Sequence, residues 1–288
     1  MKLDAIHMRD PYILPFNNKY YLYGTTDENI WSGAGGGFMC YESSDLTDWV
    51  NPQTVFTPPG GFWGTRNFWA PEVFFYDGAF YMFASFIGDG FLRGTAALKS
   101  ANPTGPFAPH SDGALTPKDK MCLDGTFYSD DYPYIIYCHE WVQTGDGAVY
   151  AARLSADLSK ITGEPALLFK SSAAPFSKKM FSPSNNIEGF VTDGPFLFKN
   201  ASGKLFMLWS CFCDGGYCQA QAVSPSGRVT GPWQVLPEPV YKNDGGHGML
   251  FKTFDGQTKL TLHQPNKTPS ERPLILNARI TENGAALS

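Results

Sequence analysis

The sequence is short of charge, and the charge it has leans negative. Asp, Glu, Lys and Arg supply only 17 % of the 288 residues, and the net charge is -5. Nucleic-acid binders normally carry a basic face, so no nucleic-acid partner is expected. No apolar run approaches the roughly 20 residues needed to cross a bilayer, so no membrane partner is expected either. Met1–Asp10 reads MKLDAIHMRD and lacks the apolar stretch of a secretory signal. A cytoplasmic location is therefore expected, with a secreted or periplasmic protein whose signal has been removed as the alternative. The six cysteines include no CxxC pair. Cys211-Phe-Cys213 followed by Cys218 comes nearest to a metal knot, but zinc sites want paired CxxC or Cys/His spacing. Ordinary reduced thiols are the reading.

Aromatic residues and turn formers are plentiful instead. The chain carries 14 Tyr, 23 Phe, 30 Gly and 22 Pro. Strands favour aromatic and β-branched side chains, so many short strands joined by tight turns are expected. One module recurs along the chain: a small or acidic residue, an apolar strand, a turn and a second aromatic-rich strand. Its copies run over residues 10–26, 70–86, 124–140, 193–210 and 246–264. Asn17-Asn18, Asp77-Gly78, Ser129-Asp130-Asp131, Ser202-Gly203 and Asp255-Gly256 provide the turns, which makes each copy a β-hairpin. Between hairpins lie Ser-turn-aromatic segments, such as Glu42–Trp49 and Val223–Trp233, which fit the outer strands of a sheet. The expected fold is all-β, a five-bladed β-propeller forming one domain over residues 1–288; a β-sandwich with chance likeness between hairpins is the competing reading.

A propeller brings the openings of its innermost strands onto one ring. That ring holds Asp10, Ala70 with Glu72, Asp124, Asp193 and His247, and Glu140 joins it from the end of a second strand. Three copies open with Asp, although carboxylates gathered in one pit repel each other. Glycoside hydrolysis needs such a set: a carboxylic acid to protonate the leaving oxygen and a carboxylate to activate water or attack directly. Taken singly, each Asp reads equally well as a turn residue at a strand start. Of the aromatics near strand ends, Trp69, Trp141, Phe86 and Trp209 are candidates to stack on a sugar, as are Trp31 and Phe68. Glu72 and Arg272 are further candidates for substrate contact.

The chain resembles glycoside hydrolase family 43, which includes arabinofuranosidases, arabinanases, β-xylosidases and galactan-active enzymes. The residues carrying the resemblance are Arg9-Asp-Pro-Tyr-Ile13, Trp69-Ala-Pro-Glu-Val73, Leu123-Asp-Gly-Thr-Phe127, Thr192-Asp-Gly-Pro-Phe196 and Gly246-His-Gly-Met-Leu250. The resemblance implies an inverting hydrolase of arabinofuranosyl, xylosyl or related bonds in plant-type poly- or oligosaccharides. It implies Asp10 as general base and Asp124 as the residue that modulates and orients the acid. The family's fourth blade usually offers Glu-Gly-Pro as the acid, where this chain has Asp193-Gly-Pro. The acid is therefore Asp193 or Glu140, with Glu188 as a third choice. The chemistry requires no cofactor; the resemblance places a structural calcium near the axis, reached indirectly beside His247. A monomer or small homo-oligomer is expected. The loops Ser32–Gly37 and Phe62-Trp63-Gly64 are candidates to wall the pit and favour action at chain ends. Two other functions remain: a β-fructosidase-like retaining enzyme, which lacks its Asn-Asp-Pro here, and a sugar-binding propeller that has lost its acid.

Overall fold

A computed structural model describes residues 1–27 and 30–288. Nearly every element is a strand, and five four-stranded antiparallel sheets are each built from four consecutive strands. We call them blades 1 to 5. Their innermost strands are Arg9–Phe16, Arg66–Tyr76, Cys122–Ser129, Asp193–Lys199 and Gly246–Lys252. Each pairs with the following strand through the turn anticipated above. Asn17 with Asn18, and Asp77 with Gly78, all take positive φ, the twist that a two-residue hairpin demands. The chain is a five-bladed β-propeller.

The blades pack face to face through aromatic side chains. Phe38 and Phe56 of blade 1 meet Phe68 and Phe86 of blade 2 at centroid distances of 5.8 to 6.2 Å. Phe83 stacks on Phe127 at 5.8 Å between blades 2 and 3, and Phe169 meets Trp209 at 5.3 Å between blades 3 and 4. Blade 5 keeps all four of its strands in the C-terminal segment, so side chains and loops close the ring rather than a shared sheet. Arg9 of blade 1 reaches Glu271, just before the third strand of blade 5, at 2.7 Å, and the Met8 N–H donates to the Glu271 carbonyl.

The innermost strands share an irregularity that decides where their side chains point. In every blade the ladder slips at the same place: between Arg9 and Tyr12, Trp69 and Glu72, Leu123 and Thr126, Asp193 and Phe196, and Gly246 and Met249. Inside each bulge one residue takes a left-handed backbone: Asp10 (φ 53°), Ala70 (φ 48°), Asp124 (φ 54°), Gly194 (φ 51°) and His247 (φ 51°). Such a conformation costs a non-glycine residue roughly 1–2 kcal/mol and re-aims the side chain. Asp193 is thus out of step with Asp10 and Asp124. Its place in the register is that of Arg9, Trp69, Leu123 and Gly246, and Gly194 holds the left-handed position. The expectation of three aspartates at equivalent positions is corrected accordingly.

Candidate active site

The bulges stack the axis in tiers. Arg9, Trp69, Leu123 and Asp193 line the opening of a well of about 400 Å³, and Asp10, Asp124 and His247 also reach it. Two residues beyond the left-handed position comes a deeper tier, where Thr126 donates to Glu72 at 2.5 Å. Glu72 is buried there and does not line the well, so it is not placed to touch a substrate. Burial pushes its carboxyl up to about 8, with Thr126 and His247 offsetting only part of the rise.

A repeated hydrogen bond holds each left-handed residue. Late in the second strand of a blade an acceptor takes the N–H of the left-handed residue in the next blade. Thr25 Oγ1 takes the Ala70 N–H, Ser85 Oγ that of Asp124 and Ser210 Oγ that of His247, each at 2.8 Å. His263 Nδ1 takes that of Asp10 at 3.1 Å and so closes the ring. At the remaining junction the Gly194 N–H donates to Asp124 Oδ2 at 3.0 Å. Burial and Arg9 push the His263 ring down to about 3, so it is neutral, and its Nδ1 lone pair serves the backbone. These acceptors were missed in the sequence, although each closes a hairpin copy at an equivalent position.

Three aspartates then meet different surroundings. The Asp10 carboxylate lies 3.1 Å from His247 Nδ1 and accepts the Thr25 hydroxyl at 2.7 Å. Burial works against its charge, but His247 and Arg9 outweigh it and hold Asp10 well below the usual carboxylate range. His247 also faces Asp124 at 3.7 Å. Burial would strip its proton, yet the aspartates around it raise the ring to about 10. Asp124 and Asp193 are both pushed up, first by burial and then by neighbouring carboxylates. Among the described residues no cation is paired with Asp193; Tyr217 donates its phenol proton to Oδ2 at 2.9 Å.

Glu140 lines the well from the start of a short helix, Trp141–Thr144. Arg93 Nε reaches it at 3.1 Å, both side chains are buried, and the guanidinium lies 3.8 Å over the Trp69 ring. Trp69 and Trp141 both line the well. Other candidates sit elsewhere. Phe86 belongs to the aromatic cluster between blades 1 and 2, and Trp209 is fully buried against Phe169; their strand positions face the blade interior, not the axis. Phe68, Phe62 and Trp63 pack in the same cluster as Phe86. Arg272 bonds the Asp4, Pro269 and Glu271 carbonyls away from the well. Glu188 pairs with Lys179 at 3.3 Å on an added hairpin, outside the well. The loop Ser32–Gly37 contributes no side chain to the lining, though its neighbour Trp31 does. Met180, Phe181, Asn185, Phe212 and Tyr217 line the well without having been singled out in the sequence.

Among the described residues no group of three or more His, Cys, Asp or Glu is set to hold a metal. The ring beside which a calcium was expected, His247, has its Nδ1 3.1 Å from Asp10 and 3.7 Å from Asp124. Among the described residues no helix is long and apolar enough to cross a membrane.

Comparison with known proteins extends this picture. The family model for Glycosyl hydrolases family 43 matches residues 5–285. Among solved structures, endo-arabinase from Bacteroides thetaiotaomicron VPI-5482 superposes with a TM-score of 0.91 at 40 % identity, covering 98 % of each chain. Endo-1,4-beta-xylanase from the same organism gives a TM-score of 0.80 at 25 % identity, covering 99 % of this chain and 95 % of that one. Extracellular endo-alpha-(1->5)-L-arabinanase 1 from Bacillus subtilis (strain 168) is 23 % identical over 242 residues, 78 % of this chain and 67 % of the relative.

Proposed function

The chain belongs to glycoside hydrolase family 43, and from that premise we propose that it cleaves arabinofuranosyl bonds with inversion, using Asp10 as base and Asp193 as acid. The sugar follows from the two arabinan-active relatives; a xylosyl substrate is second, on the xylanase likeness. One observation carries the division of roles. Within a single well, Asp10 is held ionised by His247 and Arg9, whereas Asp193 is pushed towards its protonated form by burial and Asp124. Carboxyls driven apart in this way are what acid and base catalysis require.

In the reaction, Asp10 takes a proton from a water whose oxygen attacks the anomeric carbon. Asp193 gives its proton to the glycosidic oxygen as that bond breaks, and the sugar leaves with inverted configuration. Asp124 supports this by its charge, which raises Asp193, and by accepting the Gly194 N–H beside it. Glu140 is paired with Arg93 at 3.1 Å, an arrangement suited to binding sugar hydroxyls. An extracellular location, in place of the cytoplasmic one expected above, accords with the name of the Bacillus subtilis relative.

The test compares Asp193→Asn and Glu140→Gln on arabinofuranosides with good and poor leaving groups. A general acid matters most when the leaving group is poor. Asp193→Asn should lose about 10²–10⁴-fold on the poor one and far less on a 2,4-dinitrophenyl glycoside. Glu140→Gln should lose the same factor on both. The reverse pattern transfers the acid role to Glu140. No turnover by the wild type on any arabinoside or xyloside leaves a sugar-binding propeller. Proton NMR of the first product anomer separates inversion from the retaining, β-fructosidase-like course.

A further inference from the structure

We infer that the mouth of the well carries two sugar-stacking platforms, Trp31 on one rim and Phe181 on the opposite rim, which bind the sugar units flanking the one held over the carboxylates. This rests on the hydrolase reading above and extends it to a chain-like substrate that crosses the well. Among the described residues, Trp31 and Phe181 are the most exposed large apolar side chains, at 60 % and 58 %. Scattered exposed aromatics need no explanation, but both of these line the same well. They also come from distant parts of the ring. Trp31 belongs to blade 1, and Phe181 lies on a hairpin, Lys179–Ser182 with Ile187–Phe190, inserted between blades 3 and 4. In a five-bladed ring that junction lies across the axis from blade 1, so the two rings reach the shared well from opposite sides.

Each platform is braced before any sugar arrives. The Ile30 carbonyl, next to Trp31, accepts the Trp69 indole N–H at 2.8 Å and the Asn67 amide at 2.6 Å. Trp69 meets the Trp31 ring edge-on at 5.5 Å, and the Arg9 guanidinium lies 5.3 Å from its centroid. The hairpin bearing Phe181 is tied to its surroundings by the Lys178 N–H on the Phe212 carbonyl at 2.9 Å and the Gly147 N–H on the Phe190 carbonyl at 2.8 Å. Asn185 of the same hairpin reaches the well and provides an amide for hydroxyl groups. Sugars present apolar C–H faces, and a rigid, exposed ring binds such a face with little loss of conformational freedom.

The test measures kcat and KM on linear α-1,5-linked arabino-oligosaccharides of increasing length, for the wild type, Trp31→Ala and Phe181→Ala. Wild-type kcat/KM should climb with chain length. Each variant should fall further behind as the chain grows, reaching about a tenfold deficit on the longer ones, carried by KM; Trp31→Phe and Phe181→Tyr should recover most of it. An equal loss at every length, or none at any, overturns the proposal. If the wild type hydrolyses none of these substrates, the arabinan reading fails first. Affinity electrophoresis in linear arabinan then reads the platforms independently: retardation that both variants abolish supports them, and migration unchanged by the polymer refutes them.

Discussion

Glu72 offers a sharp test of the electrostatics of the axis. It sits below the well, accepts the Thr126 hydroxyl and lies among Asp10, Asp124 and His247, with its carboxyl pushed up to about 8 by burial. A carboxyl raised above its unfolded value near 4.5 stabilises the fold fully only below that value. Between pH 4.5 and 8 the native state keeps a proton that the unfolded chain has released, so stability falls as pH rises. The slope is about 1.4 kcal/mol per pH unit, which amounts to roughly 3 kcal/mol by pH 7 and about 4 kcal/mol at pH 8, where it levels off. Glu72→Gln keeps the shape and an acceptor for Thr126 but cannot ionise. It should match the wild type below pH 4.5 and gain on it steadily above, by roughly 6 °C in Tm at pH 7, taking about 2 °C per kcal/mol for a chain of this size. Differential scanning calorimetry across that range reads the effect directly. Because Glu72 does not line the well, kcat should change by no more than a few-fold. A pH-independent Tm difference, or a loss of activity comparable with that of Asp10→Asn, would refute the placement of Glu72 as a neutral strut.

Other outcomes follow from the same geometry. His247→Gln removes the cation between Asp10 and Asp124; breaking a buried pair costs roughly 3–5 kcal/mol, and Asp10 then titrates higher, so the acidic limb of kcat/KM should move to higher pH. Tyr217→Phe deletes the bond that favours the ionised form of Asp193; the alkaline limb, which reports loss of the acid's proton, should move to higher pH with little change in Tm. In Gly194→Ala the new Cβ would lie 2.6 to 3.0 Å from the His247 ring at a φ of 51°, so denaturant titration should show a loss of several kcal/mol and activity should fall with it. Thr25→Val strips Asp10 and the Ala70 N–H of their shared partner. An unsatisfied buried group costs about 1–3 kcal/mol, which urea unfolding should detect.

The propeller was legible because its cause is local and repeated. A strand, a turn rich in Asn, Asp or Gly and a second aromatic strand announce a hairpin wherever they occur, and five copies leave few architectures. Asp10, Asp124 and His247 could be placed on the axis for the same reason, since Asp10 and Asp124 open a copy and His247 is the second residue of one. Asp193 also opens a copy but lies one register position away from them. The bulge that displaces it is visible only in the pairing, because Asp193-Gly194-Pro195 and Asp124-Gly125-Thr126 read alike as strings.

Surface and depth were harder. Phe86 and Trp209 stand near strand ends exactly as Trp69 does in the sequence pattern, yet alternation along a strand sends some rings to the blade interface and others to the axis. Glu72 lies two residues from a left-handed position, which drops it below the well rather than beside its mouth. Phe181, Asn185 and Tyr217 come from a hairpin and a third strand with no repeat to mark them; they reach the site only because the ring closes.

Repetition along the chain therefore specified the architecture and the acidic character of the axis, since hairpin formation and strand pairing are governed by neighbours in sequence. Which carboxyl holds a proton and which stays ionised was decided by tertiary structure alone. Those states depend on burial and on charges brought together from different blades, His247 of blade 5 beside Asp10 of blade 1 and Asp124 of blade 3 beside Asp193 of blade 4.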